Sequence, residues 1–529
     1  MRAIPTPRPS VPLRLPVPPA VLLVAASLVA TSACAQVPPP SEAPAAPGLA
    51  VPADSVRADL ALFRRAARAY HPGLDKYGQR AAFERHLDSL DAALAGRGAP
   101  VPEGGAVLLV ASALHVLADG HTEVTPVDQD PALRERLWGG RAVLPFAFRI
   151  VAGGEDERRL VVTSDLTGSL PPGTEVREID GRPVGAVLDR LLAYASGDGR
   201  GTDALRLARL AVPTRAFDWL ARSDFDAFYP LAFPDAPERA ALVVRRPASS
   251  DWALVAVGRL TRDERETRAQ EAGVLPPENE ASWTTRMVGP ETALVRLGTF
   301  STWGFETPPD TLLARTFRDL ERRGVRRLVL DVRGVPGGNL GALAVARYLT
   351  AEPVRCLGDA TVVAAQRPDP AFFPYLEAYG GGDGWKNPLP DAAVEPMPDG
   401  RYRLLVGPPC VSPPVPPEAF GGEVTVLADA WNESATFSLL RVVRDQGLGT
   451  VVGRPAGGNL RGLTAGIVLR LRLPRTGLVV TLPLLSSVPE GDPADGPLVP
   501  DVIVEWTAED VAAGRDPDLA TALDALDGP

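Results

Sequence analysis

Lysine is nearly missing from this chain: of its 55 basic residues, only Lys76 and Lys386 are lysines and the rest are arginine. Arginine stays charged at any physiological pH and cannot act as a proton acceptor. A mechanism that needs a lysine base therefore has two residues to draw on. Histidine is almost as scarce, with His71, His86, His115 and His121 the whole complement. None of the four stands at a convincing metal-ligand spacing from thiols or carboxylates, so no metal is expected. Phosphate loops and dinucleotide fingerprints are absent too, and no cofactor is expected. The net charge of −10 and pI near 5.2 argue against a dedicated nucleic-acid binder, which needs a basic face. Beyond the N-terminal segment, no run is long and apolar enough to span a bilayer. There are three cysteines. Cys34 falls in the N-terminal segment, and Cys356 and Cys410 either pair or remain buried thiols.

A length of 529 residues exceeds one ordinary core, and two to four domains are expected. Arg2, Arg8 and Arg14 precede the apolar run "AVLLVAASLVA", which is too short for a stable anchor and reads as an export signal over 1–35. Ala33 and Ala35 fit small-x-small cleavage before Gln36. Lipidation of Cys34 is the alternative, with Thr31 a poor match where such sites prefer leucine. Either way the mature protein is expected outside the cytoplasm, periplasmic or secreted, soluble or lipid-tethered.

A Pro/Ala-rich linker, 36–53, leads to a helical module at 54–135. Its third helix, "GAVLLVASALHVLAD", runs into "GHTEV". Short strands dominate 140–260. There "LPPGTEVREIDGRPVGAVLDRLL" reads as strand, tight Asp180-Gly181 turn, strand and helix. That order resembles a PDZ domain, a module that binds peptide ends by strand addition. An ordinary hairpin followed by a helix is the plainer reading. A charged connector, 261–285, precedes a clear α/β alternation over 286–529, with a late hairpin and a C-terminal helix.

Three stretches carry candidate chemistry. In "VLADGHTEV", His121 has the side chain best suited to exchange protons near neutral pH, although a histidine at a helix end is more often structural. In "LVLDVRGVPGGNLGALAV", Asp331 and Arg333 end a buried strand. Gly337 and Gly338 there could let backbone N–H groups approach a developing oxyanion, or simply form a tight turn. In "DAWNESATFSLLRVV", Ser434 stands between a strand and a helix, as a nucleophile or as a helix cap. The Ala435 N–H would point to the same place.

Taken in order, "LADGHTEV", "GTFSTWGF", "LVLDVRGVPGGNLGAL", "ADAWNESATFSLLRV", "TVVGRPAGGNL" and "LVPDVIVE" resemble the C-terminal processing (tail-specific) family of serine peptidases. The resemblance covers about 54–505 and is strongest after Glu291. It implies a core of repeated β-β-α units like those of ClpP and the crotonases, a helical N-terminal module and an inserted PDZ-like domain. It also implies Ser434 as nucleophile, with Gly337 or Gly338 and Ala435 at the oxyanion. One departure matters. The family's usual Ser/Lys dyad places its lysine where this chain has Asn459, and an amide cannot accept a proton at neutral pH. The tricorn-like branch is similar in using a histidine at the end of the helical module, here His121, supported by a carboxylate near the C-terminus. Glu490, Asp492 and Asp495 are the acids available there, with Asp495 the best fit and Asp119 a local alternative. The expected activity is endopeptidase cleavage of unfolded or C-terminal protein segments. A non-catalytic peptide- or ligand-binding protein of the same fold, or an esterase on the same serine, are the other readings. Oligomeric state is left open.

Overall fold

The computed structural model describes residues 50–140, 142–152, 157–200, 203–212, 223–275, 277, 279–405 and 413–527. The export signal, Cys34, Cys410 and most of the 36–53 linker lie outside these residues. Cys356 is disulfide-bonded.

Helices Ala53–Tyr70, Arg80–Ala95 and Glu103–Leu117 form the N-terminal module. The first buries Val56, Leu60, Phe63, Ala67 and Tyr70, the i, i+4, i+7 stripe that makes a helix one-sided. The third ends at Ala118 with φ 57°, the left-handed C-cap conformation that turns a chain out of a helix. That exit delivers the "DGHT" turn.

Strands Phe146–Ala152, Arg158–Asp165, Glu175–Ile179, Arg239–Arg245 and Trp252–Gly258 form an antiparallel sheet in that order, with Arg182–Pro183 paired beside the third. Asp180 and Gly181 have φ 52° and 73°, as the tight turn requires. Two helices in the long excursion between strands, Ala204–Leu210 and Asp224–Ala232, were not legible as helices in the sequence. The charged connector also folds: Arg262–Glu271 is a helix with a Thr261/Glu264 capping box. Arg265 on it is fully buried against Asp226, so one charge of an apparently solvated run belongs to the interior.

The C-terminal half carries a six-stranded sheet ordered Val502–Ile503, Thr450–Gly453, Glu423–Ala428, Arg327–Asp331, Thr292–Leu297, Trp283–Met287. All neighbours run parallel except the last pair. Helices Pro309–Arg322 and Ser434–Asp445 help cover one face, and Pro517–Asp527 the other. Burial on both faces explains the continuous apolar runs "RLVLD" and "EVTVLA". The stretch "NLGALAVARYL" gives only a short helix, Ala342–Ala346. A third sheet is built on the long hairpin Thr464–Arg472/Val479–Val488. Leu469, Leu471, Val480 and Leu482 from that hairpin join one apolar cluster with the helical module and the antiparallel sheet. The hairpin thus connects the two halves of the chain.

Candidate active site

The turn carrying Ser434 is wired to the turn after strand Arg327–Asp331. The Asp429 carboxylate accepts from the N–H groups of Gly334 (3.1 Å) and Trp431 (3.0 Å). Asn432 accepts from the Asp429 N–H at 2.7 Å and donates to the Val332 and Val335 carbonyls at 2.7 and 3.2 Å. These buried side chains satisfy backbone groups of a loop that no strand or helix pairs. The helix N-cap is Glu433, so Ser434 is not the cap. Ser434 itself has φ 50°, a conformation that costs a non-glycine residue of this kind roughly 1–2 kcal/mol. A methyl group added to Gly337 would lie 2.7 Å from Ser434 Cβ and 3.1 Å from the Ala435 nitrogen. The backbone at Gly337, with φ 122°, therefore lies directly against the serine. A methyl group on Gly338 would lie 2.2 Å from the Phe300 backbone, so neither glycine can carry a side chain. Asp331 and Arg333 play a different part. Arg333 holds Asp331 (2.8 Å) and reaches Asp516 and Asp518 at 2.7 and 2.9 Å, tying the sheet to the C-terminal helix.

The histidine turn is assembled from four separate parts of the chain. Asp119 accepts from the His121 N–H at 2.9 Å and from Thr122 Oγ1 at 3.1 Å, and its other oxygen lies 3.2 Å from His71 Nε2. That setting holds its carboxyl well below the usual range: burial opposes ionisation, but His71 and His121 outweigh it. Thr481, on the hairpin, donates to the His121 carbonyl at 2.8 Å and accepts from the Glu123 N–H at 2.8 Å. The loop after helix Val184–Leu192 packs alongside, with the Gly199 N–H donating to the Ala118 carbonyl at 3.0 Å and Ser196 Oγ to that of Thr122 at 3.1 Å. From that loop, the Asp198 carboxylate accepts from the Gly120 N–H at 3.0 Å.

One residue joins the two turns. Arg209 donates to the Gly120 carbonyl at 2.9 Å, to both carboxylate oxygens of Glu433 at 3.1 and 3.0 Å, and to Glu123. Gly120 precedes His121 and Glu433 precedes Ser434. No local pattern marks this clamp, because Arg209 lies in the short helix Ala204–Leu210, far along the chain from both turns.

Other predicted residues are distributed as follows. Asn459 is fully buried and bridges the Asp198 carbonyl (3.3 Å) and Asp495 Oδ1 (2.8 Å). Asp495 also accepts from the Arg200 N–H at 3.2 Å. Glu490 is exposed, and Asp492 pairs at the surface with Arg461 at 3.2 Å. The Lys76 ammonium donates to Thr464 at 3.1 Å. Burial pushes it down to about 8, against the pull of Asp198 and Asp119. Asp119, His121 and Asp198 place one ligand atom each within 4.8 Å of one another, a donor set that could also suit a small divalent cation.

Comparison with known proteins bears on the half of the chain that holds Ser434. Residues 291–484 match the model of peptidase family S41. The matched segment is less than half of the chain. It includes Gly337, Gly338, Ser434 and Ala435, and excludes His121, Asp198 and Asp495. No curated protein matches the chain. Among solved structures, a serine-to-alanine mutant of CPAF superposes with a TM-score of 0.59 at 16% identity, covering 90% of this chain and 96% of that one. Mature CPAF complexed with lactacystin gives 0.56 at 15% identity, over 90% and 97%. At such identities the likeness concerns the fold alone, and that fold is mixed α/β.

Proposed function

We propose that the chain is a serine endopeptidase in which Ser434 attacks a peptide carbonyl and His121 takes its proton. His121 then delivers that proton to the leaving amine. The N–H groups of Ala435 and of Gly337 or Gly338 receive the oxyanion, helped by the N-terminus of helix Ser434–Asp445. The observation that carries this reading is the Arg209 clamp, which fastens the residue before His121 to the residue before Ser434. Asn459 in place of a lysine fits the same reading, because the base then comes from elsewhere.

The substrate class is unfolded or C-terminal protein segments. We read the C-terminal core as ClpP/crotonase-like and the antiparallel sheet as a PDZ-like peptide-binding module. Export, to the periplasm or beyond, is supported by the N-terminal charge-and-apolar pattern and by the bonded state of Cys356, since disulfides persist in oxidising compartments.

Labelling by a fluorophosphonate probe tests the reading on the purified protein, Ser434→Ala and His121→Ala. Loss of labelling in both variants is expected. A folded wild type that never labels, at any pH from mildly acidic to mildly basic, would instead favour a peptide-binding protein of the same fold.

A further inference from the structure

We infer that Asp198, from the loop after helix Val184–Leu192, is the carboxylate that orients the His121 ring. This rests on the Ser434/His121 reading and replaces the C-terminal acid in it. Among the described residues, His121 Nδ1 is a buried ring nitrogen with no hydrogen-bond partner, and Asp198 Oδ2 is a buried carboxylate oxygen with none. His121 and Asp198 belong, with Asp119, to a group in which each residue offers one ligand atom within 4.8 Å of the others. An orphaned donor and an orphaned acceptor, each costly to bury alone, are each other's natural partners. Hydrogen bonds of this kind are often long in a free enzyme and tighten with substrate bound.

The competing acids are engaged by other groups. One oxygen of Asp119 serves the His121 N–H and Thr122; the other is also buried without a hydrogen-bond partner, but lies 3.2 Å from His71 Nε2. Asp495 holds Asn459 and the turn at Arg200. Asp198 is itself fixed, since its Oδ1 accepts from the Gly120 N–H. A methyl group on Gly120 would lie 3.0 Å from Oδ2, so glycine leaves the carboxylate its place beside the ring. The charged and titratable groups around it are Asp119, His121, Glu433, Lys76, Tyr77 and Arg206. Burial first, and the Asp119 charge second, push the Asp198 carboxyl up to about 6. Full support of an imidazolium then requires a pH above that value.

The test uses the full-length protein, with chelator present so that no cation occupies the cluster. Rates of fluorophosphonate labelling across pH are compared for wild type, Asp198→Asn, Asp198→Glu and Asp495→Asn. Asparagine can keep the bond to Gly120 through its oxygen, while the atom facing the ring loses its charge and becomes a donor. Asp198→Asn is expected to slow labelling at least about tenfold, with unchanged melting temperature and a displaced acid limb. Asp198→Glu restores part of the rate, and Asp495→Asn stays within about threefold of wild type. A second arm needs no catalysis: in Ser434→Ala, a downfield imidazole N–H proton resonance is expected that disappears in the added Asp198→Asn and persists in Asp495→Asn. Labelling that falls with Asp495→Asn and survives Asp198→Asn overturns the assignment, as does a resonance that outlasts Asp198→Asn. Failure of the Ser434/His121 reading looks different: the wild type does not label, or His121→Ala labels normally, whatever the resonance does.

Discussion

The two turns of the candidate site are held in opposite ways. The serine turn is fixed from within one fold unit, where Asp429 and Asn432 reach across to backbone groups of the adjacent βα loop. The histidine turn is held by a hairpin hundreds of residues away, by the Asp198 loop and by Arg209. A nucleophile in a locally wired turn keeps its geometry wherever the sheet forms. A base held by remote segments is in place only when those segments have docked.

Arg209 is where that contrast is broken most sharply. Its guanidinium is buried and raised well above its usual basicity, because Glu123 and Glu433 outweigh the cost of burial. Arg209→Met leaves Glu433, only 3% exposed, as an uncompensated buried charge. A loss of about 3–5 kcal/mol in denaturant unfolding is expected, together with loss of probe labelling. If stability falls but labelling per folded molecule is unchanged, the clamp does not align the two turns.

The converse change acts on the serine side alone. Gly337→Ala forces a methyl group to within 2.7 Å of Ser434 Cβ and disturbs the oxyanion donors. A fall of about 10²–10³ in kcat is expected, with the histidine turn, monitored by amide exchange of residues 118–123, unaffected. A parallel change in that exchange would show that the turns are not independent.

Lys76 sharpens the histidine side. Its folded value of about 8 lies below the ordinary lysine value of 10.5, so the unfolded chain binds more protons between those limits. Stability from this group therefore rises with pH from about 8 to 10.5 and is lost as pH falls through 8. Lys76→Met removes that rise, which amounts to at most about 3 kcal/mol for a shift of this size. Unfolding measured at pH 8 and again near pH 10 reads it directly, and an undiminished rise in the variant excludes Lys76 as its source.

This difference in wiring also explains what could be read from the sequence. Ser434, Gly337 and Gly338 announce themselves because the strand–turn–helix grammar around them is local. The parallel strands "RLVLD" and "EVTVLA" are plain because both faces are buried. Arg209 and Asp198 carry no local mark: each sits in a loop or short helix of ordinary composition and acquires a role only through contacts with residues 78 to 224 positions away. The helix Arg262–Glu271 was obscured for a related reason, since its run of charges hides Arg265, whose partner Asp226 lies in another helix. The contact between Lys76 and Thr464 is likewise invisible in the sequence, because the hairpin that brings Thr464 to it cannot be placed from spacing.

The smallest expected effect concerns the serine itself. At φ 50°, residue 434 occupies a conformation that glycine adopts freely and alanine does not. Ser434→Ala and Ser434→Gly are both inactive on the proposed mechanism, so activity cannot separate them. Stability can. The glycine variant relieves the backbone, and although glycine is a poor helix residue, position 434 is the first of the helix, where that penalty is smallest. The glycine variant is expected to be the more stable of the pair by about 1 kcal/mol. Equal stabilities would mean that the turn holds no strain and that Ser434 owes its place to the Asp429–Asn432 wiring alone. A more stable glycine variant would mean that the fold gives up stability to present this hydroxyl, which a helix cap or a peptide-binding surface would not require.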